Sequence, residues 1–272
     1  MFGAILGDII GQPYEFDRSP KTKKFPLFCK NPRFTDDTVM TIAICDGILK
    51  AGIDADENTM KTAMITSMQL WGHKYPRAGY GGSFYRWLAR EDTKPYGSWG
   101  NGSAMRVSSV GWFFDTLERT REVARWSAEV THNHPEGVKG AESIAAVIWL
   151  ARNGKTKAEI KDYVQREFEY DLSRTCDEIR PEYRHVESCQ ETCPEAITAF
   201  LEGEDFEDVI RTAVSLGGDC DTLTDIACAM GEAFFGLPEE LKAKCIEYTR
   251  ADMHEVMKAF EEHKIPAKIV EN

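Results

Sequence analysis

Apolar residues along this chain recur at spacings of three and four far more than at two. Val39, Ile42, Ala43 and Leu49 follow that rhythm with Asp46 set inside it, and Ile144, Val147, Ile148 and Ala151 repeat it later; such spacing marks helices that bury one face. Alternating stretches rich in Val, Ile and Thr, the mark of half-buried strands, are hard to find. The pattern predicts helices over 2 to 11, 37 to 51, 57 to 73, 80 to 90, 102 to 116, 119 to 131, 136 to 153, 156 to 168, 192 to 202, 205 to 215, 221 to 235, 238 to 249 and 251 to 262. Residues 12 to 36 and 169 to 191 are charged, with Pro and aromatic residues interspersed, and read as loops. Gly3, Gly7 and Gly11 fall at i, i+4 and i+8 of the first helix, a smooth stripe against which another helix can pack closely. No Pro/Gly/Ser linker divides the chain, so the expectation is all-α and one domain, residues 1–272.

Composition narrows the partners. With 272 residues and a hydrophobic fraction of 42% the chain can bury a sizeable core. A formal net charge of −12 speaks against bulk attachment to nucleic acid or to an anionic membrane, both of which call for a basic face. Any phosphate must then be met locally. The eight Cys are scattered and read as reduced thiols. No run of about 18 apolar residues occurs, and Asp8 and Glu15 follow the first apolar stretch too soon for a signal peptide. The expected setting is soluble and cytoplasmic.

Two acidic runs carry the candidate chemistry, Thr35-Asp36-Asp37-Thr38 and Asp219-Cys220-Asp221-Thr222, the second after the flexible pair Gly217-Gly218. Each opens a predicted helix, where Asp and Thr commonly cap free N–H groups. Each also holds more carboxylates than one cap uses, and clustered Asp need a cation to offset their repulsion. Oxygen-only donors of this kind suit Mg²⁺, Mn²⁺ or Ca²⁺ better than zinc.

Tyr96-Gly97-Ser98-Trp99-Gly100-Asn101-Gly102-Ser103-Ala104-Met105-Arg106 is a glycine-rich loop entering a helix, able to offer amides to a phosphate, with Arg106 pointing either to the ligand or elsewhere. A second loop, Arg77-Ala78-Gly79-Tyr80-Gly81-Gly82-Ser83-Phe84, could flank the same ligand. His132 and His134 stand between two helices, where a histidine often caps or fills a turn. His185, Cys189 and Cys193 lie four apart and could share a helical face, a zinc-compatible spacing with no evident fourth ligand.

Gly7-Asp8 with Glu15, Phe34-Thr35-Asp36-Asp37-Thr38, Gly100-Asn101-Gly102-Ser103-Ala104-Met105-Arg106, Thr131-His132-Asn133-His134-Pro135-Glu136-Gly137 and Gly217-Gly218-Asp219-Cys220-Asp221-Thr222, in this order and at these separations, resemble the ADP-ribosylglycohydrolase family. The resemblance runs from the first helix to about residue 236. It implies an all-α orthogonal multi-helix bundle and two Mg²⁺ or Mn²⁺ ions, with Thr35, Asp36 and Asp37 matching one ligand set and Asp219, Asp221 and Thr222 the other. Glu15 matches a carboxylate that serves as acid, base or movable gate, so Glu15, Asp36 and Asp219 are the expected catalytic residues. Asn101, Gly102 and Ser103 match the diphosphate-holding segment, and Tyr80, Gly81 and Gly82 the wall near the distal ribose; Met105 and His134, from the same matched motifs, are taken as ligand-side residues.

The implied activity is hydrolysis of the C1″ glycosidic bond of an ADP-ribosylated protein or an ADP-ribose conjugate. In the nitrogenase-regulating members an Asp two residues before the glycine of the second loop assists arginine-linked substrates; here Arg77-Ala78-Gly79 offers no acid, which sets serine and other O-linked ADP-ribose beside the arginine linkage. Two other readings stay open, an ADP-ribose-binding module without turnover and a structural, crystallin-like use of the fold.

Overall fold

A computed structural model describes residues 1–268, so the last four positions of the expected domain lie outside it. Among the described residues the chain is helical, and pairing between extended segments is confined to one isolated antiparallel bridge, Gly100 to Ser188. The first helix, α1 (Phe2–Gly11), is buried along all ten residues. It is followed by a 3₁₀ turn (Gln12–Tyr14), α2 (Asp36–Ala51), α3 (Glu57–Lys74) and α4 (Gly82–Leu88). Next come α5 (Gly102–Met105), α6 (Val110–Phe113), α7 (Leu117–Glu129), α8 (Pro135–Arg152), α9 (Lys157–Phe168) and α10 (Cys176–Ile179). The chain continues with α11 (Cys189–Glu202), α12 (Phe206–Leu216), α13 (Cys220–Phe235), α14 (Glu239–Tyr248) and α15 (Ala251–His263).

One core unites these helices, and α1 and α13 lie at its centre. The glycine stripe of α1 is what lets them meet. A Cβ on Gly7 would stand 2.6 Å from Asp225 N, one on Gly11 2.7 Å from Asp221 Cα, and one on Gly3 2.9 Å from Glu232 Cβ. Around this pair, α2 packs on α3, α7 on α8, and α8, α11 and α12 on α13. Asp46, the acid inside the apolar rhythm of α2, is explained by its partners: it accepts from Ser67 Oγ at 2.8 Å and Trp71 Nε1 at 3.0 Å on α3, and from Lys50 at 2.6 Å.

The structure departs from the predicted helices at several places. The stretch 102 to 116 divides into α5 and α6, and the turn between them carries the Arg106 guanidinium inward, where it donates to Ser127 O at 2.6 Å and Thr131 Oγ1 at 2.7 Å. The stretch 80 to 90 shortens to α4. Helix α11 starts three residues before the predicted 192, so Pro194 falls inside it. In the predicted loop 169 to 191, α10 forms behind a capping box in which Thr175 and Glu178 each bond the other's backbone N–H. The loop 12 to 36 is pinned rather than regular: Ser19 Oγ donates to Val214 O at 2.6 Å, and Lys21 Nζ to Leu216 O at 2.6 Å and Tyr183 O at 2.8 Å.

Because the atoms nearest a Gly7 Cβ are backbone of α13, no side chain can turn aside to admit it. Gly7→Ala is expected to lower the unfolding free energy by about 2 kcal/mol, in the range found for overpacked cores. Urea denaturation checks this, and an unchanged midpoint would show that the two helices can separate freely.

Candidate functional site

The two acidic runs come together because their helices start beside α1. Thr35 is the N-cap of α2 and accepts from Asp37 N at 3.3 Å. Further capping comes from α1: the Asp8 carboxylate accepts from Thr35 N at 2.8 Å, Thr38 N at 3.1 Å, Thr35 Oγ1 at 2.8 Å and Thr38 Oγ1 at 2.5 Å. Asp8 and Thr35 thus perform the capping that could have explained the acids of the first run. Asp37 Oδ1 is buried and meets no donor. Asp219 occupies the N-cap position of α13 yet makes no side-chain cap bond; its Oδ2 instead accepts from Asn101 Nδ2 at 2.7 Å.

A cavity of about 310 Å³ opens above these groups. Glu15, Asp36, Asp37, Asp219, Asp221 and Thr222 all line it. Glu15, Asp219 and Asp221 each offer an oxygen within 4.8 Å of the others, close enough to share a metal ion. Glu15 therefore belongs to the tight carboxylate group. Orphaned carboxylate oxygen and an all-oxygen donor set fit a hard divalent cation. Thr35 is placed differently from the other matched residues: it is absent from the cavity wall, and its hydroxyl lies against Asp8 and Asp37.

Electrostatics follow from this crowding. Burial, then the charge of Asp219, pushes the Glu15 carboxyl up to about 7. Burial, then Asp8, pushes Asp36 up to about 8, and burial alone outweighs four hydrogen bonds to raise Asp8 to about 6. Asp37 and Asp221 are also raised well above the usual carboxylate range, first by burial and next by the charge of Asp221 and of Asp219 respectively. None of these acids is in an ion pair among the described residues.

The glycine loop also lines the cavity, through Gly100, Asn101, Gly102 and Met105, and Gly81 and Gly82 do the same from the second loop. Part of its expected amide cradle is committed internally: Gly97 N donates to Asn133 Oδ1, Gly100 N to Ser98 Oγ and Asn101 N to Glu187 O. Ser103 turns inward and donates to Gly137 O at 2.7 Å, and Tyr80 packs its ring at a tilt against Phe84 rather than lining the cavity.

Of the two histidines, His132 faces the cavity. His134 does not; it is the N-cap of α8, accepting from Glu136 N at 3.2 Å, with its ring edge-on to Trp99. Burial, then Arg106, holds His132 well below the usual imidazole range, so it is neutral. Thr131 Oγ1 accepts from Arg106 and lies 2.7 Å from His132 Nδ1. If the hydroxyl hydrogen goes to Nδ1, the neutral ring carries its own proton on Nε2, the atom beside Gly102. Nor do His185, Cys189 and Cys193 share a helical face: α11 begins at Cys189, while His185 lies before it, bonded to Glu187 at 3.1 Å and packed on Phe16.

A family model described as ADP-ribosylglycohydrolase matches residues 1–267. The chain belongs to the ADP-ribosylglycohydrolase family. ADP-ribosylhydrolase ARH3 of Bos taurus is 25% identical over an alignment covering 92% of this chain and 88% of that protein. ADP-ribosylarginine hydrolase Tri1 of Pseudomonas putida (strain GB-1) is 25% identical, covering 87% of this chain and 70% of its own length. A solved structure of an ADP-ribosylglycohydrolase-related protein complex shares the fold, with a TM-score of 0.71 at 20% identity over 97% of each chain. An ADP-ribosylglycohydrolase is a hydrolase that acts on ADP-ribosylated substrates. Among the described residues no helix is long and apolar enough to cross a membrane.

The raised carboxyls predict how this chain responds to pH. Unfolded Asp and Glu titrate near about 4, whereas Asp8, Glu15 and Asp36 titrate at about 6, 7 and 8. Between those limits the folded chain binds more protons than the unfolded one, so stability falls as pH rises. With chelator present, Tm is expected to fall steadily from pH 5 to pH 8. Saturating Mg²⁺ should raise Tm more at pH 8 than at pH 5. Scanning calorimetry decides this, and a Tm that is flat with pH under chelation contradicts the charge assignment.

Proposed function

We propose that the chain, acting as one catalytic domain over 1–272, is a metal-dependent hydrolase that releases ADP-ribose from modified proteins or small conjugates by cleaving the C1″ glycosidic bond. The observation that carries this reading is the convergence of Glu15, Asp219 and Asp221 within 4.8 Å, in a cavity that Asp36 and Asp37 also line, in a chain of this family.

Two Mg²⁺ or Mn²⁺ ions would be held by Asp36 and Asp37 with Thr35 on one side, and by Asp219, Asp221 and Thr222 on the other. When bound, such ions polarise ligand hydroxyls and offset the carboxylate repulsion. The chain's own groups do the rest. Breaking the C1″ bond builds oxocarbenium character on the ribose, which nearby carboxylates stabilise. Glu15, half-buried and titrating near about 7, is suited both to give a proton to the leaving group and to take one from water. Asn101 fixes the orientation of Asp219 through its 2.7 Å bond. His132, neutral and buried, supplies a donor on the wall shared with Gly102 without adding charge. Gly81 and Gly82 leave room for the ribose end of the ligand, and Phe16, more than half exposed and on the cavity wall, offers a ring at its mouth.

The test is release of ADP-ribose from a panel of Arg-, Ser-, Cys- and nucleotide-linked substrates, with Mg²⁺, Mn²⁺ or chelator. Release from at least one linkage is expected, abolished by chelator, and lowered by about 100-fold or more in Glu15→Gln, as for loss of a general acid or base. Asp219→Ala should lose activity together with cation binding. Binding of ADP-ribose with no release from any substrate would instead make the protein a reader, and full release by Asp219→Ala would overturn the mechanism. The same panel reads out which linkage is cut, since the rim segment Arg77-Ala78-Gly79 carries no acid of its own while Asp36 stands against Gly79.

A further inference from the structure

The three glycines of α1 lie against α13 at the positions of three acids: Gly11 at Asp221 Cα, Gly7 at Asp225 N and Gly3 at Glu232 Cβ. Two of the three are answered by donors. Glu232 Oε2 accepts from the Met1 ammonium at 2.6 Å and from Gly3 N at 2.8 Å, and Asp221 Oδ1 accepts from Thr222 N at 3.0 Å. On the side of α1 toward α2, Asp8 accepts four bonds from Thr35 and Thr38. Asp225 is different. It is fully buried, and neither of its oxygens meets a donor, a condition that no other carboxylate among the described residues shares.

Asp225 follows Asp221 by one helical turn, so it sits behind that residue on the same face of α13. Two charges bear on it, Asp8 and, in the opposite sense, the Met1 ammonium, and Asp225 in turn acts on Asp37. The Oδ1 of Asp37 is likewise buried and without a donor. An apolar side chain could fill the place of Asp225 without the penalty of burying an unmatched carboxylate. Positive charge entering between α1, α2 and α13, where the cavity acids gather, would offset that penalty.

We propose that Asp225 is a further carboxylate of the cation site, a positioning residue behind Asp221 and Asp37 whose negative charge sets how tightly the site takes a hard divalent ion. The proposal rests on the metal reading of the cavity given above. Asp225 is not on the cavity wall, so it acts through the field and through the carboxylates in front of it. Carboxylates in such supporting positions change metal affinity by about 10-fold to 100-fold when removed.

The experiment is calorimetric titration of Mg²⁺ and of Mn²⁺ into the wild-type protein and into Asp225→Asn, which keeps the shape and removes the charge. Asp225→Ala serves as a second variant if the first does not fold. The expected result is a Kd weakened by about tenfold with unchanged stoichiometry, together with a Tm under chelation that is equal to or above that of the wild type. A Kd in either folded variant equal to that of the wild type overturns the role of Asp225 while leaving the metal reading intact. No heat of binding in the wild type overturns both.

Discussion

Repulsion among buried carboxylates is the constraint on which the rest of this structure turns. Asp8, Glu15, Asp36, Asp37, Asp219, Asp221 and Asp225 gather where α1, α2 and α13 meet, and burial is the leading cause of the raised titration of each. The fold answers only part of that charge. Hydroxyls and amides of Thr35 and Thr38 satisfy Asp8, and Asn101 holds Asp219. The remainder faces a cavity, and it is this uncompensated share that gives the site its appetite for a small, hard, positive partner.

Holding such charges together needs a rigid frame, and the frame is unusually tight. The stripe on α1 lets α13 approach until backbone meets backbone, so α13 cannot retreat from the first helix without opening the core. Asp8 then fastens α2 to α1 by binding its first turn. Lys21 and Ser19 fasten the loop that bears Glu15 to the segment just before Gly217. Each contact fixes the start of an element that carries a carboxylate, so site geometry and core packing are one problem for this chain.

Much of this was legible in the sequence. Apolar spacing located the long helices, Gly3, Gly7 and Gly11 announced a close helix pair, and the excess of acid in the two runs argued for more than capping. What escaped has physical reasons. Periodicity reports which face is buried, not which buried acid serves which partner, so in the sequence Asp8 is an acid ending an apolar stretch and part of the matched Gly7-Asp8 motif, never the cap of α2, and Asp225 is not singled out at all. The break between α5 and α6 depends on Arg106 finding Ser127 and Thr131, a contact between distant segments. His132 and His134 are two residues apart with equal claims by type; the cap on α8 takes one and leaves the other to the cavity. The bridge from Gly100 to Ser188 keeps the chain extended up to α11, which is why His185 never joins the turn of Cys189 and Cys193. The capping box of Thr175 and Glu178 was readable, and it marks the one missed helix with a local signal.

The pairing of α1 with α13 also has a temporal side. The two helices are separated by about 200 residues, and at ribosomal rates of about 5 to 20 residues per second the first emerges roughly 10 to 40 seconds before the second. During that interval a helix with no polar face, carrying Asp8 and a row of glycines, has no lasting partner, and a fold so dependent on distant contacts is slow to close. The nascent chain therefore spends its synthesis with its most apolar element waiting. Any factor that shields short apolar helices at the tunnel exit would act on this protein at α1.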